Sequence, residues 1–230
     1  MTLEQHLALT AEAFDLLGNP YFEALDDGSM THEAFLRSQR QFFHAVDFFN
    51  RPLAALAARI PHTATRMAVV ANVWEEHGEG DPSRWHRNTF IELLRRLGDD
   101  SGEPPLIGPE VQAFNTLIMG ASDDYVRGAA CLGAIETLFS AISARIGAGI
   151  VGRRWLSEDR MVHYDVHVDL DVDHGRELFD VVRTGWDGPE RQRIIEGMRL
   201  GVYAFDALYR GLYMGTLRSA PEGHDGWGLP

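Results

Sequence analysis

Residues 163–174 read HYDVHVDLDVDH, and whether this stretch is a strand or a helix decides the fold. Valine or leucine alternates with aspartate, which is the period-two pattern of a strand. Helix is nevertheless the reading adopted. The flanking segments have helical spacing, and a lone strand would leave its backbone groups without partners. On a helix, His167, Asp171 and His174 stand at offsets of zero, four and seven, within about 60° of one another, so three metal-ligand side chains leave one face. On a strand His174 would point away from the other two. His163 lies one turn earlier on the same stripe.

Two other stretches extend that pattern. Glu136 sits in GAACLGAIETLFSAISA, residues 128–144, apolar on nearly every side, where a carboxylate needs a metal, an arginine or a hydrogen bond such as Ser140 offers. Ala129, Gly133 and Ser140 surround it with small side chains, which predicts room for an ion or substrate. Residues 72–86, NVWEEHGEGDPSRWH, end one helix on Glu75, Glu76 and His77 and start another near His86, so Glu76 and His86 can meet across the connection. The set is then Glu76, His86, Glu136, His167, Asp171 and His174: three carboxylates and three imidazoles. Mixed donors of this kind suit two ferrous ions, with zinc or manganese chemically open. Asp169, Asp171 and Asp173 mimic a calcium loop, but His174 occupies the position where that loop needs glycine.

The remaining sequence reads as one all-α domain over residues 1–218 with a flexible tail at 219–230. Helices are expected from Thr2 to Leu17, from Thr31 to a break near Pro52, at 63–77, 83–97, 110–119, 123–146, 157–183 and 189–217, with a short turn at 21–25. The chain has 230 residues, 45% hydrophobic, enough for a substantial core. Acids outnumber bases 34 to 21, for a net charge of −13, which argues against nucleic acid and anionic membrane as partners. All the basic residues are arginine, so Schiff-base chemistry through lysine is excluded. A single cysteine, Cys131, excludes an internal disulfide and fits a reducing cytoplasm. The N-terminus lacks the features of a signal peptide, and the apolar stretch 126–151 is read as an interior helix because Glu136 and Arg145 interrupt it. Phe43, Phe139 and Trp74 are candidate pocket aromatics.

Asn72, Glu75, Glu76 and Gly78, followed by His86, then Glu136, then His167-x3-Asp171-x2-His174, together resemble the ligand pattern of the haem-oxygenase-like di-iron oxidases. The stretch from Asn19 to Leu56 is similar to the opening of the same superfamily, so the likeness covers about residues 15–215. The resemblance implies a seven-helix bundle with six ligands around one cavity. It also implies two ferrous ions as cofactors and dioxygen as co-substrate, giving a peroxo-di-iron species that oxidises a fatty acid, amino acid or amine. Glu76, His86 and His167 would hold one iron, and Asp171 and His174 the other, with Glu136 bridging or completing the second. His163, Asn72 and Glu75 would orient these ligands by hydrogen bonds. The partners expected are a small-molecule substrate, an external electron donor and a second copy of the chain. A chlamydial member makes p-aminobenzoate at the cost of a lysine, a route closed to a chain without one. Thiaminase-II-like relatives use a cysteine nucleophile, for which Cys131 would have to serve, and a non-catalytic binding protein on the same fold is the third reading.

Overall fold

The computed structural model describes residues 1–101 and 105–217, with the side chains of residues 166–170 outside the description. The expected tail at 219–230 therefore lies outside the described residues. Within them the secondary structure is helical throughout: α1 (Leu3–Ala13), α2 (Pro20–Asp27), α3 (His32–Arg59), α4 (Thr63–Glu76), α5 (His86–Arg96), α6 (Pro109–Ala121), α7 (Tyr125–Gly152), α8 (Tyr164–Asp180) and α9 (Arg191–Leu217). The stretch that decided the fold is helical from Tyr164 onward, with His163 at its N-cap.

Local chemistry sets the boundaries. Thr2 caps α1 in a reciprocal box with Gln5. That helix ends at Ala13, short of the expected Leu17, because Asp15 turns into the left-handed region at φ 53°. The expected turn at 21–25 is a full helix, since the Asn19 side chain accepts from Tyr21 N and Pro20 is pre-set for the first turn. The break expected at Pro52 is absent. Phe42, Phe43 and Ala45 before the proline and Leu53 and Leu56 after it are all buried in one core, and this packing outweighs a lost hydrogen bond worth about 3 kcal/mol. The last turn of chain before α8, 157–161, holds only a short 3₁₀ turn, so α8 begins seven residues later than expected.

The core is built around α7, most of whose residues from Val126 to Glu136 are buried. By length and a mean hydropathy of 1.4 over its most apolar window α7 could cross a membrane, yet here α8 and α9 pack along it. Glycines permit that approach: a side chain at Gly175 of α8 would strike Thr137, and one at Gly201 of α9 would lie 2.5 Å from the carbonyl oxygen of Cys131. Gly133 meets Phe179 and Leu178 of α8 in the same way. Gly133 thus brings α8 against α7, while Glu136, three residues on, faces the space expected beside it.

Candidate metal centre

Glu76 is the last residue of α4 and His86 the first of α5, so a ten-residue span folds back to bring their side chains together. Two 3₁₀ turns make the reversal, the second capped by Asp81, which accepts from Ser83 N. Gly78 is the pivot: its φ is +60°, and a Cβ there would lie 2.7 Å from the Arg84 carbonyl carbon. The result is a buried pair, His86 Nδ1 to Glu76 Oε1 at 2.9 Å.

From the opposite side come α7 and α8. Glu136, 3% exposed, points into the same space, and His174 Nδ1 stands 3.9 Å from its Oε1. The donor atoms of Glu76, Glu136 and His174 all lie within 4.8 Å of one another. Asp171 is fully buried one turn before His174. The nitrogen of His174 that faces away from the cluster, Nε2, is 2.6 Å from Glu75 Oε2. A carboxylate only accepts, so Nε2 carries the proton and Nδ1 is left as the ring's lone-pair atom.

Electrostatics follow from burial and crowding. Burial, then the neighbouring charges of Asp171 and Glu76, push the Glu136 carboxyl well above its ordinary value against the opposing pull of His174. The Asn72 amide also acts on Glu136 but sits outside hydrogen-bond geometry. Burial and Glu76 push Asp171 up to about 8. For His86 and His174 burial acts downward and is outweighed by carboxylates, chiefly Glu76 for the first and Glu136 for the second, so both are raised. Three buried acids with two basic imidazoles form a site whose excess negative potential is held back by protons.

A narrow cavity opens beside the cluster. Its polar end is Glu76, His86, Glu136 and His163. Its walls are Phe42 and Phe49 of α3, Phe114 of α6, Phe139 of α7 and Phe205 of α9. His163 is held with Nδ1 3.1 Å from Thr89 Oγ1, in an N-cap residue at φ 57°. Of the aromatics expected to line a pocket, Phe139 does so; Phe43 packs in the core against Phe90, and Trp74 is 56% exposed. The side chain of His167 lies outside the described residues. Beyond the sextet lies a buried chain that no local pattern marks: Tyr164 donates to Gln39 Oε1 (2.5 Å) and Gln39 Nε2 to Tyr21 (2.7 Å), which pairs with Ser38 at 2.9 Å.

The donor set fits a metal. Glu136 Oε1 and His174 Nδ1 are buried and make no hydrogen bond among the described residues, an arrangement costly in a folded interior unless a cation or a proton takes their lone pairs. Carboxylate and imidazole donors without thiolate suit iron, manganese or zinc. Cys131 takes no part: it is buried in α7, and burial pushes its thiol up to about 12.

Fold and site together define a helical protein with a buried carboxylate and imidazole centre at the end of an apolar cavity. The chain belongs to the haem-oxygenase-like family described as iron-containing redox enzyme, whose sequence profile matches residues 36–206. It is 25% identical over 229 residues to the 4-aminobenzoate synthase of Nitrosomonas europaea, covering 92% of this chain and 89% of that one. Its fold is similar to that of a TenA homologue from P. horikoshii OT3, with a TM-score of 0.70, 11% identity and coverage of 94% of this chain and 100% of the other. A CADD-like protein from Nostoc punctiforme gives 0.71 at 18% identity, with 94% and 96% covered.

Proposed function

We propose that the chain is a non-haem di-iron enzyme that uses dioxygen to oxidise a small organic substrate. Glu76, His86 and His167 would hold one iron and Asp171 and His174 the other, with Glu136 bridging them or completing the second. The observation that carries this reading is the convergence of Glu76, Glu136 and His174 within 4.8 Å, with Glu136 Oε1 and His174 Nδ1 making no hydrogen bond among the described residues, in a chain of an iron-containing redox family. Bound ferrous iron supplies the electrons and the open coordination positions that dioxygen reduction needs.

The residues of the chain do the rest. Glu76, Glu136 and Asp171 offset most of the charge of two divalent cations once the protons on Glu136 and Asp171 leave. Glu75 fixes the ring of His174 through Nε2, so that Nδ1 faces the cluster. The phenylalanine walls keep water from the reacting end of the substrate. An external electron donor would return the irons to the ferrous state between turnovers, and a reducing cytoplasm suits both that state and the lone thiol of Cys131.

The test is anaerobic reconstitution with ferrous iron, followed by mixing with oxygen in the presence of organic substrates. Two irons per chain and substrate-dependent oxygen consumption are expected, with Glu136→Ala and His174→Ala reducing both. A protein that binds no iron and consumes no oxygen sinks the proposal. Activity abolished by Cys131→Ser and indifferent to iron would favour the hydrolase reading, against which the buried, raised thiol of Cys131 weighs.

A further inference from the structure

We propose that the cavity beside the cluster selects a hydrophobic substrate with no charged group along its body, and so rejects free amino acids, amines and guanidines. This rests on the di-iron reading only for the identity of what lies at the polar end. The walls come from four helices and are linked ring to ring: Phe42 to Phe139 at 5.8 Å, Phe139 to Phe205 at 5.9 Å, and Phe205 to Phe114 at 5.7 Å, the last pair nearly parallel at 12°. Rings packed on one another in this way offer an apolar surface with no hydrogen-bond partner for a charge. Along α3 the lining positions 42, 45, 46 and 49 fall on one stripe, which at 1.5 Å per residue gives a wall about 10 Å long.

Nothing on those walls pairs with a charge. No arginine is among the described lining residues, and the chain has no lysine. The arginines on neighbouring turns are turned elsewhere: Arg87 Nε bonds Asp47 at 2.7 Å with its guanidinium over Phe43, and Arg51 lies over Phe48. A carboxylate in the body of the cavity would be unpaired. An ammonium or guanidinium could turn only to Glu76 and Glu136, whose charge is already committed to cations in the loaded protein. A polar or anionic end of the substrate has one place to go, the metal end.

The experiment titrates metal-free and zinc-loaded protein with 1-octanol and 3-phenyl-1-propanol against octylamine, phenylalanine and arginine, by calorimetry. In the zinc-loaded protein the two neutral probes are expected to bind at least tenfold more tightly than any of the three charged ones. Ala45→Trp, which fills the wall, should weaken both neutral probes at least tenfold. Val46→Arg, at a half-buried lining position, should weaken 3-phenyl-1-propanol and strengthen 3-phenylpropanoate. Charged probes that bind as well as neutral ones, neutral probes that do not bind, or binding indifferent to both substitutions would overturn the inference. Failure of the redox reading looks different: neutral probes bind as expected, yet the iron-loaded protein consumes no oxygen with any of them.

Discussion

His174 is held from both sides, by Glu75 on Nε2 and by the cluster on Nδ1, and Glu75 is exposed enough to be changed without opening the core. Removing an anchor of a ligating imidazole typically costs 10–100-fold in metal affinity. Glu75→Ala is expected to weaken cobalt binding by about that range, and Glu75→Gln, which keeps an accepting oxygen, to restore most of it; equal affinity in all three proteins would remove Glu75 from its positioning role. Proton linkage gives a second check. Burial and Glu76 push Asp171 up to about 8 and burial pushes Glu136 well above its ordinary value, so the metal-free site at pH 7 holds protons that a cation must displace. Metal binding at pH 7 should therefore release protons, seen as a dependence of the calorimetric heat on the ionisation enthalpy of the buffer, and affinity should fall as pH drops below about 8. At this scale much was legible. A lone glutamate in an apolar segment demands compensation wherever the helix lies, and the offsets of Asp171 and His174 fix a common face on any helix. The resemblance named Glu75 as a residue that orients ligands, and it does hold His174; which ligand it would hold was not legible, because Glu75 and Glu76 are adjacent on α4 and only the exit angle of the helix decides which of them turns inward.

Between elements, the reversal from α4 to α5 carries the geometry of two of the six residues. Gly78→Ala places a Cβ in a left-handed backbone and against the Arg84 carbonyl. The expected cost is at least about 1 kcal/mol in stability. Metal affinity should fall more steeply than stability does, because the strain sits between Glu76 and His86; loss of stability with unchanged affinity would show that the turn does not position them. The α8 stretch shows why a short window misleads. Over 163–174 the valine and aspartate alternation has period two, but burial runs Asp171, His174, Gly175, Leu178, Phe179, the helical spacing, and half of that stripe lies beyond the window. Pro52 misled in the other direction: a local rule for helix breaking lost to burial on both sides of the proline, which sequence distance hides.

For the molecule as a whole, the cluster joins α4, α5, α7 and α8, so a bound cation ties together segments that no covalent bond connects. Ferrous iron at a hundred times its Kd should stabilise the fold by about 2.7 kcal/mol, which for a chain of this length is a rise in Tm of roughly 5–10 °C. Without metal, stability should decline as pH rises. Asp171 and Glu136 have folded pKa values above their unfolded ones, so the folded state keeps protons that the unfolded state gives up between the ordinary carboxylate range and about 8. The raised His86 and His174 add to the same trend: their contribution is complete below the unfolded histidine value and disappears as pH climbs through the folded one. A metal-free Tm that rises from pH 5 to pH 8 would contradict this. The all-helical architecture was readable from caps, prolines and spacing. The cavity was not: Phe42, Phe49, Phe114 and Phe205 carry no local mark that separates a wall from a core, and only the packing of α3, α6, α7 and α9 leaves space between them.

The packing of α7 has a consequence for how the chain is made. Its two main companions, α8 and α9, both follow it in sequence, so on the ribosome this greasy rod emerges before the helices that cover most of it. The nascent chain must wait, sheltered by chaperones or by its own earlier helices, until the last segment is released. A chain stopped before α9, at residue 190, should come out of synthesis as aggregate or protease-sensitive material, whereas one stopped at 217 should fold.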